Sequence, residues 1–235
     1  MSPFGVDRAV LVIQHAPWEG PGRIGHALAA RGIAMHTRTL ISQPAVSMPD
    51  LDRYAGVVVL GGPARATDTV AHPALAIERD LLRSAVDRDM PVLGICLGHQ
   101  LLSLALGGEL EPDAADEVGM GPLTLEGDGL VGAAGGLDVL HWHRDNASLP
   151  PGAELLASTP GCPNQAFRLG SALGLQFHLE VDAAMLERWL REASVRADLA
   201  VAPSAVMGAM QHAETTLRAA AETVFAGFAH RVVEY

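Results

Sequence analysis

Short apolar runs, each broken by glycine or proline and followed by a segment with helical periodicity, constrain this chain more than any other feature. Residues 9–14, 57–60 and 92–95 are such runs, and residues 34–39 form a weaker one. A strand that is apolar on both faces needs cover on both faces, which parallel sheets flanked by helices provide. The intervening segments fit that cover. Residues 23–30 and 74–88 read as helices, and residues 97–106 continue as a third until Gly107 and Gly108 stop it. In the second of these, Ile77, Leu81 and Ala85 repeat every fourth position, so Glu78, Arg79, Arg83 and Asp87 are expected to face outward. From residue 109 to 175 glycine and proline are more frequent, and strands are expected at 118–125, 137–141, 154–158 and 173–180. Two helices finish the chain: residues 182–192, with Asp182 as N-cap, and a longer one from about Ser204. Met210, Leu217, Val224 and Phe228 make a packing stripe on the latter. With 235 residues and no internal repeat, one α/β domain is expected. Its body would be residues 1–192, with residues 193–235 a helical extension packed on it.

Composition removes several function classes. The formal charge is −11, which gives no general attraction to nucleic acid or to an anionic membrane. All 16 basic residues are arginine; without lysine there is no Schiff-base chemistry and no Walker-type phosphate loop. Two cysteines do not make a disulfide framework, so a reducing, cytoplasmic setting is expected. The N-terminus has no charged segment followed by a long apolar run, as a signal peptide would. Residues 91–108 carry no Asp, Glu or Arg, but they include Pro91, His99 and Gln100 and fall short of the ~20 apolar residues of a spanning helix. They read as a buried strand and a buried helix. Lysine-free, alanine- and arginine-rich usage suggests a GC-rich bacterial genome.

Three local strings carry chemistry. In Gly94-Ile95-Cys96-Leu97-Gly98-His99-Gln100 a buried strand runs into a helix with Cys96 at the junction. That is a nucleophile elbow: flanking glycines permit a crowded turn that projects the side chain, and the helix N-terminus favours thiolate. In Gln176-Phe177-His178-Leu179-Glu180, strand alternation would put Gln176, His178 and Glu180 on one face. His178 can then take a thiol proton while Glu180 holds its other ring nitrogen. Gly61-Gly62-Pro63 follows a buried strand, where loops border the ligand crevice of open α/β sheets. Pro63 has no N–H, so the N–H groups of Gly62 and Leu97 are the candidate donors to an oxyanion.

GICLGHQ, GGP and QFHLE, in this order and at this separation, resemble the class I (triad) glutamine amidotransferases. His141-Trp142-His143-Arg144-Asp145 and Cys162-Pro163-Asn164-Gln165-Ala166-Phe167 resemble the free-standing branch related to the glutaminase domain of GMP synthetase. The resemblance covers roughly residues 9–192. It implies a flavodoxin-like fold, mainly parallel, with helices on both faces. It also implies hydrolysis of a γ-glutamyl amide to glutamate and ammonia through a thioester, with no cofactor and no metal. Cys96 would be the nucleophile, His178 the base and Glu180 the third member, with Gly62 and Leu97 forming the oxyanion hole. Gly61, Gln100, His143, Arg144 and Asp145 would lie near the substrate's α-amino and α-carboxylate groups.

The chain departs from the family pattern at Leu179, where proline is usual between the His and Glu, and at Arg144, where many relatives have glycine. His141, His143 and Asp145 also resemble part of a metallohydrolase ligand set, but the sequence offers no further ligands in matching context. Cys162, in a Gly- and Pro-rich loop, reads as structural. Trp18 and Glu19 would either rim the pocket or belong to a surface turn. Only about 55 residues follow Glu180, too few for a synthetase domain, so an ammonia acceptor would be a separate synthase subunit. Two alternatives stay open: a self-contained hydrolase of γ-glutamyl peptides or amides, and an inactive regulatory relative.

Overall fold

The computed structural model describes residues 9–39, 47, 49–127, 129–132 and 135–235. Most of the N-terminal segment expected to lack a signal peptide lies outside them. The first half alternates strand and helix: β1 (Ala9–Ile13), α1 (Gly22–Ala29), β2 (Met35–Arg38), β3 (Tyr54–Val59), α2 (Ala74–Asp87), β4 (Val92–Ile95) and α3 (Leu97–Ala105). Strands then dominate: β5 (Leu110–Glu111), β6 (Glu117–Leu125), β7 (Gly135–His143), β8 (Asn146–Ala147), β9 (Glu154–Ser158), β10 (Ala166–Leu169) and β11 (Ala172–Leu175). Helices α4 (Ala183–Trp189), α5 (Ala193–Ala197) and α6 (Pro203–Glu234) complete the chain.

Nine strands form one mixed sheet in the order β2-β1-β3-β4-β11-β10-β9-β6-β7. The five from β2 to β11 run parallel, and the sheet continues antiparallel through β10, β9, β6 and β7. Strands β5 and β8 pair separately. The apolar runs explain the layering. Along β1, Val10 and Val12 face one core cluster, shared with Ile24 and Leu28 of α1 and with α4 and α6. Leu11 and Ile13 face the other, shared with Leu75, Leu81 and Leu82 of α2 and Leu101 and Leu102 of α3. Period-two alternation thus fills two cores, one on each face. The α6 stripe is core as well: Met210, Leu217, Val224 and Phe228 are all buried, each worth roughly 1.5–3 kcal/mol of burial. Among the described residues no helix is long and apolar enough to cross a membrane.

Two sequence expectations are corrected here. Glu78 does not face outward with its helix neighbours; it is fully buried, and its carboxylate lies 2.8 Å from Nε2 of His15 at the end of β1. The segment expected as one strand from 173 to 180 is strand only to Leu175. Beyond it the chain leaves the β4 ladder: the Gln176 N–H donates to the Gln165 carbonyl and the His178 N–H to the Leu140 carbonyl of β7, both at 2.8 Å. The sequence also concealed β10 and α5.

Candidate active site

The site begins at the turn between β4 and α3. Cys96 occupies it with φ 51° and ψ −105°, a left-handed conformation that costs a non-glycine residue on the order of 1–3 kcal/mol. The turn closes because its flanks are glycine. A Cβ on Gly98 would collide with the Val59 carbonyl oxygen of β3, and one on Gly94 would lie 2.5 Å from the Gly98 oxygen. The Cys96 N–H donates to the Leu175 carbonyl at 2.8 Å, pinning the turn to β11. The thiol sits at the α3 N-terminus, 3.6 Å from the Trp142 carbonyl.

The chain's exit from β11 brings His178 and Glu180 to the same place. His178 Nδ1 lies 2.6 Å from Glu180 Oε1, and Cys96 lies near enough to the imidazole to act on its pKa. Burial alone would lower the His178 pKa. The Glu180 charge, Cys96 and the bond to Glu180 outweigh it and hold the imidazole well above its ordinary range. Trp189 of α4 packs edge-on against this ring, with centroids 4.9 Å apart. His99, next to the elbow, is a different case. It packs on Phe167, and burial first, then His143, push its pKa down to about 3, so it stays neutral.

A cavity of about 420 Å³ opens over these groups. Cys96, His178, Gly62 and Leu97 line it, as do Gln100, His143, Arg144 and Asp145 of the expected substrate set. Gly61 lies behind: a Cβ there would collide with Glu19 Oε2 and come 3.2 Å from His178 Cε1. Its carbonyl accepts a bond from His15 Nδ1 at 3.0 Å. Both His15 ring nitrogens thus meet acceptors, which suits an imidazolium. Burial opposes that charge, but Glu78 and the Gly61 carbonyl raise the pKa overall. Trp18 and Glu19 do line the cavity. Burial pushes the Glu19 carboxyl up to about 7, with His178 opposing and Glu180 adding to the rise.

Several lining residues gave no signal in the sequence because their partners are remote. Arg65 clasps Asp145 with two bonds, Nε to Oδ2 at 2.9 Å and an Nη2 bond to Oδ1 at 3.1 Å. The Asp113 N–H also donates to Asp145 Oδ1 at 2.9 Å. Arg144, half exposed, pairs with Asp198 at 2.8 Å, and Asp198 also accepts from Trp142 Nε1. Gln100 donates to the Gln176 side chain at 3.2 Å and so spans from α3 to the triad segment.

A second Cys–His–Glu group meets nearby. Ligand-capable atoms of Glu117, His143 and Cys162 lie within 4.8 Å of one another, a set whose residue types are consistent with a triad or with a metal site. Its chemistry differs from that of the first. His143 Nε2 is 2.9 Å from Glu117 Oε2, and Thr159 donates to Glu117 Oε1 at 2.6 Å. Burial raises the Glu117 carboxyl, but these bonds bring it below the usual range. Cys162 is wholly buried and does not line the cavity, and burial pushes its thiol up to about 12. A thiol so held is a poor nucleophile.

Comparison with known proteins adds to this geometry. Residues 23–193 match the family model "Glutamine amidotransferase class-I". The glutamine amidotransferase-like protein YfeJ of Salmonella typhimurium is 34% identical over 148 residues, which is 59% of this chain and 62% of that protein. The glutamine-hydrolysing GMP synthase of Aeropyrum pernix is 37% identical over 149 residues, 60% of this chain and 28% of that protein. The matched stretch is thus under two thirds of each relative's length. A glutamine amidotransferase from Thermotoga maritima superposes with a TM-score of 0.85 at 26% identity, covering 95% of this chain and 98% of that one. One from Methylobacillus flagellatus gives 0.84 at 26% identity, covering 98% and 95%.

Proposed function

Because the chain belongs to the class I glutamine amidotransferase family, we propose that it hydrolyses the side-chain amide of glutamine or of a γ-glutamyl compound, with Cys96 as nucleophile, His178 as base and acid, and Glu180 as the group that orients the imidazole. The observation carrying this reading is the buried sequence of thiol, imidazole and carboxylate beneath one cavity. Glu180 takes Nδ1, which leaves the other ring nitrogen for sulfur.

His178 accepts the Cys96 proton, and sulfur attacks the γ-carbonyl carbon. A C–S bond forms and the carbonyl electron pair moves to oxygen. The N–H groups of Gly62 and Leu97 would stabilise that oxyanion; the Leu97 N–H, in the first turn of α3, has no intrahelical acceptor. As the pair returns, the C–N bond breaks and the imidazolium protonates the leaving nitrogen, releasing ammonia or an amine. Water gives a proton to His178 and adds to the thioester carbon. The C–S bond then breaks, freeing glutamate and the thiol. Gln100, His143, Arg144 and Asp145 line the part of the cavity where the substrate's α-groups would sit. No cofactor enters these steps. Ammonia made this way would serve a separate synthase subunit.

The test is release of glutamate and ammonia from glutamine, and from γ-glutamyl peptides, by the purified protein. Cys96→Ala should lower turnover by at least ~10³-fold, while Cys162→Ala keeps it within a few-fold of wild type. Turnover that survives Cys96→Ala, or is lost with Cys162→Ala in folded protein, would reject the assignment.

A further inference from the structure

The segment carrying Glu180 has left the sheet, so its carbonyls need partners elsewhere. One residue supplies three of them. The Arg23 N–H donates to the Glu180 carbonyl at 2.9 Å. One terminal nitrogen of the Arg23 guanidinium donates to the Leu179 carbonyl at 3.1 Å and to the Val181 carbonyl at 2.5 Å. The other terminal nitrogen donates to both carboxylate oxygens of Glu214 on α6, at 2.9 and 2.7 Å. Close approach is built in. Gly22 precedes Arg23 with φ +42°, and a Cβ there would collide with the Glu180 carbonyl oxygen. Only glycine lets the α1 N-terminus lie directly against this strip of backbone.

We infer that Arg23, gripped by Glu214, is a positioning residue: it sets the backbone on both sides of Glu180, so that the Glu180 carboxylate meets His178, and makes the C-terminal helix part of the catalytic apparatus. This rests on the reading of Cys96, His178 and Glu180 as the triad. A guanidinium suits the task because its planar fork serves two carbonyls and a carboxylate at once, which an ammonium cannot. Arg23 is buried, so loss of Glu214 would leave its charge without a counter-ion and its geometry unheld.

The test reads the Cys96–His178–Glu180 relay without needing the true substrate. Full-length wild type, Glu180→Gln, Arg23→Lys and Glu214→Gln are alkylated with iodoacetamide at pH 7 and at pH 10, and Cys96 modification is followed by peptide mapping. The pH 7 rate reports on His178 as the proposed base, which is faced by Glu180 on its own segment, Cys96 at the elbow, Glu19 after β1 and His141 on β7. The pH 10 rate, taken where an ordinary thiol needs no base, is the reference, so the ratio of the two rates cancels changes in access or in folded fraction. The ratio should fall at least ~3-fold in Arg23→Lys and Glu214→Gln, and further in Glu180→Gln. If Glu180→Gln lowers the ratio while the other two leave it at the wild-type value, the positioning role is overturned and the triad stands. If Glu180→Gln itself changes nothing, the triad reading fails and this inference with it. Should Arg23→Lys not fold, Glu214→Gln decides alone, because that side chain is 38% exposed and its loss opens no cavity in the core.

Discussion

Glu19 is a cavity side chain whose charge the fold alters. Its carboxyl, ordinarily near 4.5, is pushed up to about 7, mainly by burial. The folded state therefore holds a proton that the unfolded chain releases. Stability falls as pH rises from about 4.5 to about 7 and carries the full penalty above that. Thermal melts of Glu19→Gln should show a higher Tm than wild type at pH 8 and no difference at pH 4. A Tm at pH 8 equal to or below wild type would contradict this. Glu19 also shows the limit of reading single residues. Its neighbours in sequence suggested a pocket rim or a surface turn equally well, because Gly61, His178 and Glu180 approach it only through the fold. Cys96, by contrast, was legible: both glycines that permit its conformation are within two positions of it. Arg65 and Glu117 carried no local signal, since Asp145 and His143 lie far along the chain from them.

At the level of elements, helical periodicity identified α2 but misplaced Glu78. A carboxylate among outward-facing charges looks solvated, and only His15, 63 positions earlier, accounts for its burial. His15 in turn holds the carbonyl of Gly61, next to the proposed oxyanion donor Gly62. Removing one partner of a buried ion pair strands the other, so Glu78→Ala should destabilise the protein by about 3–5 kcal/mol in urea denaturation. Asp80→Ala, on the exposed side of the same helix, should stay within about 0.5 kcal/mol. Equal effects at the two positions would show that the pair contributes nothing. The segment after β11 shows the converse. Alternation in Gln176-Phe177-His178-Leu179-Glu180 suggested a strand, but these residues bond to Gln165, Leu140 and Arg23 instead of to a ladder. His178 and Glu180 still meet, Nδ1 to Oε1 at 2.6 Å, along a bent stretch of backbone and not along a strand.

For the molecule as a whole, the parallel half of the sheet was readable because burial on both faces leaves uninterrupted apolar runs. The antiparallel half was less so: short strands such as β10 lie among glycines and prolines, and remote partners set their pairing. The long α6 carries a stripe that joins the core with α1 and α4, and through Glu214 it also reaches the backbone of the proposed triad. Two Cys–His–Glu groups thus coexist among the described residues, and of their two cysteines only Cys96 lines the cavity. A γ-glutamyl diazoketone distinguishes them most directly, because it needs a reactive thiolate inside a site shaped for a γ-glutamyl group. After incubation at pH 7 and peptide mapping by mass spectrometry, the account predicts one adduct per chain, on Cys96, lost in His178→Ala. An adduct on Cys162, or no adduct on folded protein, would contradict it.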